Sequence, residues 1–174
     1  MSLINGYIQV YTGNGKGKTT AAIGLGIRAA GAGHSVRMVQ FMKGRRYSEI
    51  DVIEHIPNFH LTQHGRDEFV SKEKPEDIDI DLAREGLETA ENVISSGEHD
   101  LLILDEINVA VNFGLIEVKE VMELIGSRPR QMEIVLTGRY APREFMDIAD
   151  LVTEMKEIKH FYQNGVKARK GIEY

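Results

Sequence analysis

The chain has 174 residues, a formal net charge of −6 at pH 7 and no cysteine, with 42% hydrophobic and 28% charged residues. A disulfide framework, a thiolate metal site and a cysteine nucleophile are excluded, and the acidic balance argues against nucleic acid as the main partner. With no leader-like N-terminus and no apolar run of membrane-spanning length, one cytoplasmic domain over residues 1–174 with no membrane partner is expected.

Tyr7–Tyr11 reads as a strand and is followed by Thr12-Gly13-Asn14-Gly15-Lys16-Gly17-Lys18-Thr19-Thr20. Glycines let successive backbone N–H groups close around phosphate oxygens. The helix predicted next, Lys18–Ala32, presents unpaired amides and a positive dipole end to an anion. Lys18 is placed to reach terminal phosphates and the Thr19 hydroxyl to ligate Mg²⁺, as in phosphate-binding loops. The usual first glycine of that pattern is Thr12 here, with a glycine one place later.

Further along, Val36–Phe41 and Phe59–Gln63 are predicted strands, separated by a loop-like Lys43–Pro57 that carries Lys43, Arg45 and Arg46. A second loop, His64–Asp77, is charged and short of apolar anchors. Asp79–Ser96 has helical spacing, stopped by Gly97. Leu101–Leu104 is wholly apolar, the mark of a central parallel strand. Val118–Ile125 and Pro142–Ala149 are expected helices, Ile134–Leu136 and Leu151–Thr153 strands. Asn164-Gly165, between Ile158–Tyr162 and Val166–Ala168, suggests a hairpin. The alternation predicts an α/β, three-layer P-loop NTPase-like (RecA-like) fold with a mainly parallel sheet flanked by helices. Loops at strand ends of such a sheet form its binding sites.

Asp105-Glu106 ends the Leu101–Leu104 strand, where a carboxylate can hold Mg²⁺ directly or through water; either acid could be the direct ligand. His60 and His64 have helical ligand spacing, but their stretch reads as a strand running into a loop, so solvated or hydrogen-bonded roles are expected. Arg139 and Arg143 follow a strand end, and Arg139 is the candidate phosphate contact.

The segments from Val10 to Ala22, Val39–Gly44, Leu104–Glu106, Leu136–Arg139, Ala149–Met155, Lys159-His160 and Gly165–Tyr174 together resemble the P-loop type of cob(I)alamin adenosyltransferase, across essentially the whole chain. The likeness includes Thr12. It implies a homodimer that moves the 5′-deoxyadenosyl group of ATP to the Co(I) of a corrinoid, cobalamin or cob(I)yrinic acid a,c-diamide, and releases triphosphate. It also implies Mg²⁺ or Mn²⁺ and a reductase or flavoprotein as electron donor. By match of position, Gly13, Asn14, Gly15, Lys16, Gly17, Lys18, Thr19 and Thr20 bind the triphosphate, and Thr19 with Glu106 and Asp105 holds the metal. Lys18, Thr19 and Glu106 are the expected catalytic residues, and Lys43 and Arg139 further contacts.

Two features depart from the family pattern. Better-known members carry an N-terminal helical extension over the site, whereas here the first strand is read from Tyr7. Those members also carry several aromatics that help remove the lower axial ligand of cobalt; the matching Gly65–Val70 has only Phe69. Co(I) is itself a strong nucleophile, so no side-chain base is needed; positioning and stabilisation of the leaving anion remain for the protein. A phosphate loop alone is equally compatible with a small-molecule kinase or ATPase, or with a non-catalytic ATP-dependent binding module.

Overall fold

A computed structural model of the chain describes residues 3–174. Strands β1 (Ile8–Thr12), β2 (Val36–Phe41), β3 (Phe59–His64), β4 (Leu101–Asp105), β5 (Glu133–Thr137) and β6 (Leu151–Glu154) form one sheet in the order β3-β2-β4-β5-β1-β6. Every neighbouring pair is parallel. Helices α1 (Lys18–Gly31), α2 (Ser48–Ile53), α3 (Asp77–Ser96), α4 (Ile107–Asn112), α5 (Val118–Gly126) and α6 (Arg143–Ile148) connect them. This is the three-layer α/β architecture that the alternation predicts.

The central strand shows why Leu101–Leu104 is apolar throughout. All five residues of β4 are buried. Leu102 and Leu104 pack with Ala83, Leu87 and Ala90 of α3 and Val121 and Leu124 of α5. Leu101 and Ile103 point the other way, into a cluster with Ala22 and Ile23 of α1 and Phe59 of β3. Alternate side chains of a strand leave opposite faces, so a strand covered on both sides is apolar on both, and its one polar residue, Asp105, comes at its C-terminal end. The helix α1 lies so close to the sheet that a Cβ on Gly26 would stand 2.6 Å from Cε1 of the buried Phe59 ring.

Helix α3 starts two residues before its predicted first turn, because Glu76 and Asp79 form a reciprocal capping box there. At its other end Gly97 adopts φ 64°, the left-handed stop expected of it.

Two helices fall outside the predicted pattern. Within the expected loop Lys43–Pro57, α2 buries Ile50 and Ile53 in six residues, too few for a helical period to show. Directly after β4, α4 buries Ile107, Asn108, Ala110 and Val111. The expected hairpin around Asn164-Gly165 does not form. A 3₁₀ turn, Phe161–Asn164, stands in its place, closed by Gly165 at φ 70°. Ile158 and Tyr162 are 84% and 83% exposed, so the segment has no buried face to hold a two-stranded ladder. The chain continues instead as an irregular tail to Tyr174, passing beside the glycine-rich loop.

Candidate active site

The loop between β1 and α1 turns on two glycines, Gly13 at φ 96° and Gly17 at φ 122°. Thr12 is still in β1, and its hydroxyl accepts the Ala141 N–H at 3.3 Å. The need for glycine therefore begins one residue later than in the usual pattern, and Thr12 ties the loop to the turn after β5. Cβ atoms on Gly13 and Gly15 would lie 2.4 and 2.8 Å from the Met155 carbonyl oxygen, which accepts the Gly15 N–H at 2.7 Å. Helix α1 opens at Lys18 with no side-chain cap and no acid in its first turn, leaving its amides to an anion. The Lys18 ammonium bonds the carbonyls of Gly13 (2.7 Å) and Gly15 (2.9 Å). Burial pulls its pKa below the ordinary lysine value, against the upward pull of the Glu106 carboxylate.

Beneath this loop, the fully buried Asp105 carboxylate accepts four hydrogen bonds. They come from Thr19 Oγ1 (2.9 Å), Gln40 Nε2 (3.1 Å), Lys43 Nζ (2.7 Å) and Thr137 Oγ1 (2.6 Å). Burial opposes its charge, but the Lys43 ammonium and these donors outweigh burial and hold Asp105 below the usual carboxylate range. Burial opposes the charge of Lys43 as well, and the Asp105 carboxylate outweighs it, so Lys43 sits above its ordinary value. Lys43 also donates to Thr19 Oγ1 at 3.2 Å. Thr19, Lys43 and Asp105 therefore form one closed cluster.

Glu106 is placed differently. It adopts φ 62°, a left-handed conformation rare outside glycine, and its N–H donates to Thr137 Oγ1 at 3.1 Å. The turn brings its side chain to the cleft, where none of the described residues donates to the carboxylate. Burial, then the neighbouring Asp105, push its pKa up. Among the described residues, the other two non-glycine residues with positive φ, Met42 and Tyr140, follow β2 and β5. All three mark the C-terminal edge of the sheet, where backbone strain commonly accompanies a site. The Thr19 hydroxyl and the Glu106 carboxylate are hard oxygen donors beside a polyanion loop. That is a donor set suited to Mg²⁺ or Mn²⁺, with phosphate oxygens and water supplying the rest.

A cleft of about 670 Å³ joins these groups. Asn14–Thr20, Lys43, Glu106 and Arg139 line it, together with Tyr47 and Val52 at α2, His160 and the tail residues Gly171–Tyr174, whereas Gly13 and Asp105 are not in the lining. Arg143 is elsewhere, 3.5 Å from Asp147 on the surface of α6. His64 donates to or accepts from Thr89 Oγ1 at 3.2 Å, a hydrogen-bonded role as expected. Phe69 is outside the lining and fully exposed on the loop after β3. That loop is fastened by Arg66 to Asp79 and Glu76 (2.8 and 2.9 Å), by Val70 against the core, and by Lys72 to Asn112 (3.3 Å).

Sequence reasoning gave no role to Gln40, Thr137 or the tail, although all three lie in segments that carry the family resemblance. Thr137 ends the apolar β5 as Asp105 ends β4, and a polar residue closing a buried strand was its one local signal. The tail carries no local signal of its contact with Lys16.

The description of the matching family model is ATP:corrinoid adenosyltransferase BtuR/CobO/CobP, and the match covers residues 4–174. The corrinoid adenosyltransferase of Escherichia coli (strain K12) is 36% identical over 171 residues, 97% of this chain and 86% of that protein. Corrinoid adenosyltransferase CobA of Salmonella typhimurium is 34% identical over 171 residues, with the same coverage. The corrinoid adenosyltransferase of Pseudomonas aeruginosa is 35% identical over 173 residues, 97% of this chain and 84% of that protein. With its phosphate loop, its strand-end acids and this whole-length likeness, the chain belongs to the ATP:corrinoid adenosyltransferase family.

Proposed function

We propose that the cleft binds ATP and carries its 5′-deoxyadenosyl group to the Co(I) of a corrinoid. The electron pair of cobalt forms the bond to C5′, the C5′–O bond breaks, and its pair leaves on triphosphate. No proton has to move, so the protein needs no base. The observation that carries this reading is a cleft, in a chain matching corrinoid adenosyltransferases over residues 4–174, whose cations gather on the phosphate loop. Lys16, Lys18 and Arg139 line it along with the loop amides and suit a leaving group whose charge grows as it departs.

Thr19 and Glu106 are the residues that would hold Mg²⁺ or Mn²⁺, an ion that neutralises phosphate charge when bound. Asp105, saturated by four donors, orients Thr19 and Lys43 instead of facing the cleft. Phe69, fully exposed on the loop after β3, is the apolar side chain that would cover one face of the corrin ring. A homodimer is supported by the open edge of β6, where Leu151 and Val152 are each 44% exposed. A reductase or flavoprotein supplies the electron. No helix among the described residues is long and apolar enough to cross a membrane.

The direct test is anaerobic incubation with ATP, Mg²⁺ and chemically reduced cob(I)alamin. The expected result is the spectrum of a light-sensitive adenosylated corrinoid. An unchanged corrinoid spectrum alongside tight ATP binding would favour the binding-module reading.

A further inference from the structure

A cleft suited to a polyanion contains a carboxylate that neither the metal nor the transfer step requires. Glu173 lies in the tail, 157 residues from Lys16, and its Oε1 accepts from the Lys16 ammonium at 3.0 Å. The Ile172 carbonyl accepts from the same ammonium at 2.8 Å. The loop lysine nearest to Gly17-Lys18 is thus occupied twice by the tail.

The carboxylate is held in that position. The Arg169 backbone N–H donates to Glu173 Oε2 at 2.8 Å, and its guanidinium donates to Oε1 at 3.0 Å and Oε2 at 3.2 Å. Hydrogen bonds from Arg169 push the Glu173 carboxyl down to about 2, so it is ionised at neutral pH. The far end of the tail is anchored separately. Ser48 Oγ donates to the Tyr174 main-chain oxygen at 3.1 Å, and the Arg45 guanidinium lies 4.5 Å from the centre of the Tyr174 ring. The tail thereby bridges the phosphate loop and α2 along one side of the cleft.

An anion bound at this loop and an ionised Glu173 draw on the same ammonium, and repel each other if both stay. When Lys16 turns away, Glu173 keeps Arg169, so the exchange leaves no unpaired acid. Resting on the nucleotide reading above, we propose that Glu173 is an internal competitor for Lys16. It yields the ammonium to the triphosphate of ATP and reclaims it afterwards, so that release of the triphosphate product is an exchange of one anion for another.

The Lys16 and Glu173 side chains are 42% and 21% exposed, which limits the pair to the range of solvent-screened ion pairs. Glu173→Gln is therefore expected to tighten inorganic triphosphate, with Mg²⁺ present, by about two- to fivefold in isothermal titration calorimetry. The tightening should vanish when Glu173→Gln is made in a Lys16→Ala background, because competition needs the shared ammonium. Equal tightening in both backgrounds would reduce Glu173 to a general field effect and overturn the proposal. Unchanged or weaker binding in Glu173→Gln would overturn it too, making the tail a supporting wall. Failure of the unaltered chain to bind triphosphate at all would instead overturn the nucleotide reading, leaving the two failures distinct.

Discussion

Lys18 is 7% exposed, yet its ammonium rests only on two loop carbonyls. On the proposed reading its charge serves the phosphates and not the core. Lys18→Ala should keep the urea midpoint within the range of a minor change, while ATP affinity and turnover collapse, turnover by at least about a hundredfold. The two neighbouring acids should separate in the same assays. Glu106→Gln and Thr19→Ala should each raise the Mg²⁺ concentration for half-maximal rate by about tenfold or more, since the first removes the carboxylate charge and the second a hydroxyl ligand. Asp105→Ala should instead lower unfolding stability by on the order of 3 kcal/mol, because it strands the Lys43 ammonium and three other donors. An Asp105→Ala chain as stable as the parent would contradict the cluster described for it.

At the scale of the element, α1 offers two glycines two residues apart, and so on opposite faces of the helix, in opposite surroundings. Gly24 is exposed with nothing near its missing Cβ, whereas a Cβ on Gly26 would enter the Phe59 ring. Gly24→Ala should stabilise the chain by up to about 1 kcal/mol through helix propensity alone. Gly26→Ala should destabilise it by about 1–3 kcal/mol, since Phe59 is 2% exposed and has nowhere to go. Urea unfolding of the pair would check the depth at which α1 is set on the sheet. Most such elements were legible in the sequence because their signals are local and repeated: the glycines before Lys18, the five buried residues of β4, the stop at Gly97. The helix α2 was not, with two buried isoleucines in six residues. Nor was Thr137, whose role needs Asp105 and Glu106 from a strand beside it, 32 and 31 residues away. The tail was least legible, since its partners Lys16 and Ser48 are more than a hundred residues distant and no periodicity encodes such a contact.

Across the whole molecule, the sheet order places β5 between the loop-bearing β1 and the acid-bearing β4. The glycine-rich loop after β1 and the acids at the end of β4 therefore face each other across one strand at the C-terminal edge. The loop after β3 crosses the same edge, carrying Phe69 outward. If that ring covers the lower corrin face, Phe69→Ala should slow adenosylation of a Co(II) corrinoid reduced in the site far more than that of Co(I) supplied already reduced. The second substrate has lost its axial ligand beforehand. An equal loss on both would limit Phe69 to shaping the pocket.

What separates adenosyl transfer from every hydrolytic or kinase reading on this fold is the bond that breaks in ATP. The decisive measurement is therefore the phosphorus balance of an anaerobic reaction with ATP, Mg²⁺ and cob(I)alamin, followed by ³¹P NMR. One inorganic triphosphate should appear for each corrinoid adenosylated, and none in the Lys18→Ala chain. ADP or free phosphate in step with corrinoid consumption, without triphosphate, would contradict the account.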